Sequence, residues 1–153
     1  MEYNGSAILA MAGNKCVSIA SDLTFQVQRE HIGRIFKVYH VSDRILLGLT
    51  GLLSDCITFY QKIRYELEYL RLKENRELEP RQFMNLVCYL LYKKRFSPYF
   101  IEAVIAGIDE NGESYVGGTD TIGCATEPKD FIVSGTTTEN LLGPAESFWE
   151  DKM

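Results

Sequence analysis

The sequence has 153 residues, of which 46% are hydrophobic, 24% charged and 12% aromatic. This is the composition of one soluble globular domain, expected to span residues 1–153. The formal net charge is −5, and the only basic cluster is Lys93-Lys94-Arg95, so nucleic-acid binding is not expected. No apolar run is long enough to span a bilayer and no secretory signal is recognisable, which favours the cytoplasm and nucleus and excludes a membrane partner.

Cysteine and histidine spacing gives no sign of a metal site or of another cofactor. The four cysteines are far apart and form no Cys-x-x-Cys motif: Cys16, Cys56, Cys88 and Cys124. The two histidines, His31 and His40, also lack metal-binding spacing. We therefore expect buried or half-buried thiols in a reducing compartment and no bound metal.

The chain opens with strand patterns. An apolar run over residues 7–12, the dipeptide Gly13-Asn14 and a second run over residues 16–20 predict a tight hairpin that ends at Ser21-Asp22. A third strand is predicted to begin at Arg34, and a fourth over residues 44–51 leads directly into a helix.

Two helices are predicted in the middle of the chain. Ser54 and Asp55 offer N-cap chemistry to the first, whose apolar positions are Cys56, Tyr60, Ile63, Leu67 and Leu70. The polar residues 73–77 form a hinge, and Pro80 suits the first position of the second helix. The apolar stripe of that helix is Phe83, Val87, Leu90 and Leu91, and the basic cluster 93–95 closes it.

The C-terminal part returns to strands. Residues 99–108 predict a strand buried on both faces, residues 109–112 a turn, and residues 114–117 and 131–133 two further strands. Ser134-Gly135-Thr136 leads into a helical segment that reaches Trp149. Strands buried on both faces require a second sheet on one side and helices on the other, so the fold class is α+β with stacked sheets.

This order and several sequence blocks resemble the β-type subunits of the 20S proteasome, in particular a non-catalytic member of the eukaryotic ring. The blocks are Asp43-Arg44, residues 90–99, residues 103–109, Asp120-Thr121-Ile122-Gly123-Cys124 and residues 146–150. The resemblance implies a four-layer α-β-β-α sandwich of the N-terminal-nucleophile hydrolase type. Members of the family continue with a further helix and strands, so we expect that the sequence is truncated at the C-terminus or that a neighbour covers the open sheet.

In active members, a cut after Gly exposes a Thr whose α-amino group serves as base, supported by an Asp, a Lys and a Gly backbone N–H. By resemblance these positions fall on Ser6, Asp22, Arg34 and Gly51, and Ser134 falls near a supporting Ser-Gly. An amide nitrogen at Ser6 cannot accept a proton, and an arginine stays charged where a lysine can relay protons. We therefore expect a degenerate site with no catalytic residue, in which Asp22 and Arg34 could form a structural pair.

Two alternatives remain open. The first is an active peptidase that uses Ser6 after cleavage of Gly5-Ser6, since a serine is a competent nucleophile in relatives of this fold. The second is a separate binding domain of the same fold. Ser134 has an additional interpretation as the N-cap of the last helix.

The resemblance also implies partners: adjacent β subunits, α-ring subunits, the opposite β ring and unfolded polypeptide in the chamber. The function would be assembly and containment in ATP- and ubiquitin-dependent protein degradation. Asp120 and Cys124 are candidates to line the specificity pocket of a neighbouring active subunit. The alternative is that Asp120 is a turn aspartate and Cys124 a buried thiol. Aromatic residues that prove to be exposed would be interface candidates: Tyr60, Tyr65, Tyr69, Phe148 and Trp149.

Overall fold

A computed structural model describes residues 4–27, 30–151 and 153. Within them the strands are β1 (Ala7–Gly13), β2 (Cys16–Ser21), β3 (Thr24–Val27), β4 (Glu30–Arg34), β5 (Val38–Ser42), β6 (Ile45–Gly51), β7 (Ile101–Ile108), β8 (Ser114–Thr119), β9 (Ala125–Thr126) and β10 (Phe131–Gly135). The helices are α1 (Leu53–Glu74), α2 (Pro80–Tyr92) and α3 (Thr138–Phe148). None of the helices in this part of the chain combines the length and apolar character needed to cross a membrane.

The strands form three antiparallel sheets with the orders β10-β1-β2, β3-β4 and β5-β6-β7-β8-β9. The predicted β1–β2 hairpin is confirmed, although its turn residues are Asn14 and Lys15, and Lys15 takes the positive φ of 57°. The short strands β3, β4 and β9 were not predicted, because their mostly half-buried or exposed residues carry little alternation.

The three-stranded and five-stranded sheets pack face to face. Alternate residues of β1, among them Ile8 and Ala10, are fully buried and meet Val104 and Ala106 of β7. Small and branched side chains at these positions let the two sheets approach closely and exclude water. β7 is therefore covered on one face by the other sheet, as its apolar run predicted.

Helices α1 and α2 cover the opposite face of the five-stranded sheet. Phe59 and Ile63 of α1 and Phe83 and Val87 of α2 are fully buried against the sheet residues Leu47, Leu49 and Ile105. The apolar stripe predicted for α2 is confirmed, and Pro80 occupies its first turn. The chain is thus a mixed α and β fold in which the sheets and helices share two adjoining apolar cores.

Two predicted boundaries are wrong. Helix α1 begins at Leu53 after Leu52, which has no capping side chain, and Asp55 instead accepts a hydrogen bond from the Phe100 N–H at 2.8 Å. The strand predicted to begin at Arg34 begins instead at Val38, as β5. Arg34 ends β4, where it lies opposite Thr24 of β3. An irregularity in the β3–β4 ladder at Phe25 and Gln26 shifts the register of this ribbon.

Candidate active site

Ser6 lies immediately before β1 and is fixed through its main chain. Its N–H donates to Thr136 Oγ1 at 3.2 Å, and its carbonyl accepts from the Thr136 N–H at 2.8 Å. The closeness of this contact requires glycine at position 135, where φ is +117° and a Cβ would come within 2.2 Å of the Ser6 carbonyl oxygen. The Ser6 nitrogen is thus a peptide amide whose hydrogen is already committed to a partner.

Asp22 and Lys37 form the ion pair of the site. The Lys37 ammonium lies 2.5 Å from Asp22 Oδ1 and also donates to the carbonyl oxygens of Thr24 at 2.9 Å and Gly5 at 3.1 Å. Its side chain is almost fully buried, and three acceptors match the three hydrogens of an ammonium group. The pair therefore joins the start of β1, strand β3 and the segment before β5.

The structure corrects the predicted cation of the site. Arg34 is exposed at the end of β4, and Lys37, three residues further along the chain, contacts Asp22 instead. The Lys37 backbone is held beside β6 because the Leu49 N–H donates to its carbonyl oxygen at 3.0 Å. A signal for this residue was present in the sequence, since Lys37 is the only lysine between Lys15 and Lys62.

The environment of Asp22 favours its ionised form. Partial burial opposes ionisation, but hydrogen bonds from Lys37, Thr24 and the Ala7 N–H, together with the Lys37 charge, hold the pKa of Asp22 below its usual value. The Thr24 hydroxyl makes a short hydrogen bond to the second carboxylate oxygen. This carboxylate therefore orients a lysine and the first residue of β1 at once.

Residues Asn4 and Gly5, which precede Ser6, are built into the fold. Asn4 pairs with Gln26 of β3 through two hydrogen bonds of 3.2 Å, one from the Gln26 N–H to the Asn4 carbonyl and one from Asn4 Nδ2 to the Gln26 carbonyl. Asn4 Oδ1 accepts from the Leu53 N–H at 3.2 Å, so it caps helix α1 from 49 residues away. Gly5 accepts from Lys37 and has a left-handed φ of +53°.

Gly51 and Ser6 line one small cavity, of about 110 Å³, at the mouth of the site. Gly51 has a φ of +117°, and a Cβ there would come within 2.3 Å of the Phe100 carbonyl oxygen, so only glycine fits between β6 and β7. Glu102 and Thr136 also line the cavity. The predicted Ser6 and Gly51 are thus brought together, and Lys37, the partner of Asp22, lines a second small pocket with both of them.

Ser134 belongs to a hydrogen-bond chain beneath the same cavity. Its hydroxyl lies 2.6 Å from Thr50 Oγ1 and donates to Glu102 Oε2 at 2.7 Å. Ser134 lies in β10 and the residue before α3 is Thr137, so the interpretation of Ser134 as an N-cap is wrong. Ser134 instead presents its side chain to the inner face between the two sheets, because strand residues alternate.

Asp120 and Cys124 are brought together in a different place, the loop between β8 and β9. Asp120 Oδ1 accepts from the Ile122 N–H at 3.0 Å and from the Cys124 N–H at 2.7 Å, which is the geometry of a turn-forming aspartate. Gly123, with a φ of +86°, packs this loop onto the backbone of Cys88 in α2. Asp120 and Cys124 are both exposed, so Cys124 is not the buried thiol of the alternative interpretation, and both are available to a neighbour.

The arrangement contains a hydroxyl, a lysine–aspartate pair and a glycine N–H, but its nitrogen at Ser6 donates a hydrogen bond and carries no free lone pair. A hydroxyl attack needs a base, and a peptide amide cannot accept the proton. The hydrogen bonds of the site hold the segment before β1 in place.

The family model for the proteasome subunit matches residues 2–153. The chain belongs to the proteasome subunit family. It is similar to the probable proteasome subunit beta type-3 of Schizosaccharomyces pombe, with 46% identity over 100% of this chain and 76% of the relative. The proteasome subunit beta type-3 of Oryza sativa subsp. japonica is 42% identical over 99% of this chain and 75% of the relative.

A third proteasome subunit beta type-3, from Drosophila melanogaster, is 41% identical over 98% of this chain and 74% of the relative. The resemblance to the β-type subunits, predicted from sequence blocks along nearly the whole chain, is therefore confirmed. Membership in this family also agrees with the mixed α and β fold.

Proposed function

We propose that the chain is a non-catalytic structural subunit of the β ring of the 20S proteasome core particle. The observation that carries this proposal is the anchoring of Asn4 and Gly5, whose four hydrogen bonds reach Gln26, Lys37 and Leu53. Removal of this segment would uncap α1 and take away one of the three acceptors of a buried ammonium. The similarity to relatives named beta type-3 supports the same proposal.

In such a particle the chain forms part of the wall of a closed chamber and part of the contacts between subunits. Unfolded polypeptide is then cut only inside the chamber. The partners would be the adjacent β subunits, the α ring and the opposite β ring, and the function would support ATP- and ubiquitin-dependent degradation in the cytoplasm and nucleus. The fold would be the four-layer α-β-β-α sandwich of N-terminal-nucleophile hydrolases, with α3 in the fourth layer beside β10. We also propose that exposed Asp120 and Cys124 line the specificity pocket of a neighbouring active subunit.

The intact mass of the chain in the natively purified particle tests the proposal. A mass that includes Asn4 and Gly5 is expected, together with co-purification of other proteasome subunits. A chain that begins at Ser6, or a covalent adduct of an epoxyketone or β-lactone on Ser6, would overturn the non-catalytic role. A monomeric mass in gel filtration of the native extract would instead favour a separate binding domain.

One observation favours the second candidate, an active peptidase that uses Ser6. Lys37 supplies the proton-mobile amine that Arg34 lacks, and it sits between Asp22 and the carbonyl of the bond that would be cut. The electrophile in that self-cleavage would be the Gly5 carbonyl carbon. The same intact-mass measurement distinguishes the two candidates, because only the peptidase requires a free α-amine at Ser6.

A further inference from the structure

The C-terminal end of α2 carries an exposed aromatic stripe. Tyr89 and Tyr92 lie in the last turn of α2 and Phe96 lies in the turns that follow it, and their exposed fractions are 60%, 63% and 99%. The opposite side of the helix, with Val87, Leu90 and Leu91, is buried in the core. These three rings are therefore not part of the chain's own core.

Three adjacent cations flank the stripe. Lys93 and Lys94 lie within 5.8 Å and 5.0 Å of the ring centroids of Tyr89 and Tyr99, and the Arg95 guanidinium lies 6.0 Å from that of Phe96. The ion pairs within the described ranges involve Lys37, Lys62, Arg76 and Arg81, and none of them includes residues 93–95. In a chain with a net charge of −5, these three positive charges lack a carboxylate partner among the described residues.

The backbone that carries the stripe and its cations is fixed by hydrogen bonds. After α2 the backbone continues through successive tight turns, in which the N–H groups of Lys94, Arg95 and Ser97 donate to Leu91, Tyr92 and Lys94. The Phe100 N–H and carbonyl then bind Asp55 and Leu52 at the start of α1. A preordered surface loses little conformational freedom when it binds.

The helix dipole explains cations at this end of α2, but it does not explain three exposed rings beside them. Aromatic residues and arginine are enriched at the centres of protein interfaces, whereas a contiguous exposed apolar patch is uncommon on an isolated protein. We propose that the aromatic-basic patch, formed by Tyr89, Tyr92, Phe96 and residues 93–95, binds a carboxylate-bearing surface of another protein subunit. Its carboxylates would pair with Lys93, Lys94 and Arg95 while the three rings pack against its apolar side chains.

The other subunit would belong to the multi-subunit particle of the proposed function, so the inference rests on that function. None of the patch residues lines the Ser6 cavity. The test uses the full chain, tagged and expressed in the cells that make this protein. The first variant reverses three charges: Lys93→Glu, Lys94→Glu and Arg95→Glu. The matched control makes the same change in net charge at exposed, scattered positions: Lys15→Glu, Arg64→Glu and Lys129→Glu.

Incorporation into the particle is expected to fall at least about tenfold for the patch variant and to stay close to wild type for the control, because like charges placed together across an interface repel. The charge-preserving variant Lys93→Arg, Lys94→Arg, Arg95→Lys should keep incorporation. Circular dichroism of each purified chain shows whether it is folded. Equal incorporation of patch and control variants would overturn the inference.

A photo-crosslinking amino acid in place of Tyr92 gives a second readout that does not depend on assembly. An adduct with an Asp- or Glu-containing peptide of another protein subunit supports the inference, whereas adducts only within the chain, with nucleic acid, or with nothing overturn it. If the wild-type chain enters no particle, the proposed function fails. The crosslinking result alone then decides whether the aromatic-basic patch binds another protein subunit.

Discussion

Lys37 Nζ lies 2.5 Å from Asp22 Oδ1, with the lysine side chain almost completely buried. The pair joins three segments that are far apart in sequence, because the same ammonium also binds the carbonyls of Gly5 and Thr24. It is therefore both the polar centre of the candidate site and a structural link in the fold. Substitutions at the pair and at nearby positions measure how much each residue contributes to the stability of the fold.

Replacing Lys37 by Met should destabilise the protein by about 3 kcal/mol, because Asp22 would keep its charge without its cationic partner. The matched variant Arg34→Met should cost less than about 0.5 kcal/mol, since Arg34 is exposed at the end of β4. Urea unfolding of the purified proteins measures both values. Equal losses for the two variants would mean that Arg34 stabilises the fold as much as Lys37 does.

Only part of the site was predictable from the sequence. Asp22 follows a predicted strand and Gly51 ends one, and the structure has both residues at these strand ends. Lys37 was missed because it lies between β4 and β5, outside any strand, where no periodic pattern indicates the direction of a side chain. The resemblance placed the cation on Arg34, which the structure shows at the exposed end of β4.

Local sequence patterns also predicted only part of the fold. Pro80, the apolar stripe of α2 and the buried strand β7 depend on local patterns, and these were predicted correctly. The cap of α1 depends on Asn4, which is 49 residues distant from Leu53, and no local pattern records such a contact. Ser54 and Asp55 have the chemistry of a cap, yet they lie inside the helix.

Stability should depend on pH through Asp22. Its pKa in the folded protein is lowered, so its contribution is fully present above the unfolded carboxyl pKa of about 4 and is lost as the pH falls through the folded value. The free-energy gap between wild type and Asp22→Asn should thus be constant from pH 7 to about pH 5 and narrow at lower pH. Urea unfolding across this range measures the gap.

The control for this pH dependence is Asp43→Asn, at an exposed position in the turn between β5 and β6. Its stability difference from wild type should stay small at every pH. A gap for Asp22→Asn that widens on acidification would contradict the assignment of Asp22 as an ionised partner of Lys37.

Replacing Asn4 by Ala should destabilise the protein by about 1 kcal/mol, because the first N–H of α1 loses its side-chain acceptor. Asn4→Asp keeps an acceptor oxygen at the same position and places a negative charge at the positive end of the helix, so it should retain most of the stability. Thermal unfolding compares the three proteins. If Asn4→Ala unfolds at the wild-type temperature, the segment before Ser6 is dispensable and the case for its retention weakens.

Asp120→Asn tests the role of the β8–β9 loop in the assembled particle. The amide oxygen of Asn can still accept from the Ile122 and Cys124 N–H groups, so the turn should persist while its charge is removed. If Asp120 faces the specificity pocket of a neighbour, cleavage after Lys and Arg should slow by up to about fivefold, the value of one exposed charge pair. Cleavage after apolar residues should not change.

Asp109→Asn is the matched control, because Asp109 accepts from the Asn111 and Glu113 N–H groups in the same spacing, in the turn between β7 and β8. Both substitutions remove one turn carboxylate from the same chain, so a general loss of charge or of turn stability should affect them alike. Only a carboxylate that lies near the substrate can produce a difference between them that is confined to basic residues. Unchanged cleavage after Lys and Arg in Asp120→Asn would remove this loop from the neighbour's pocket and leave Asp120 as a turn-forming residue.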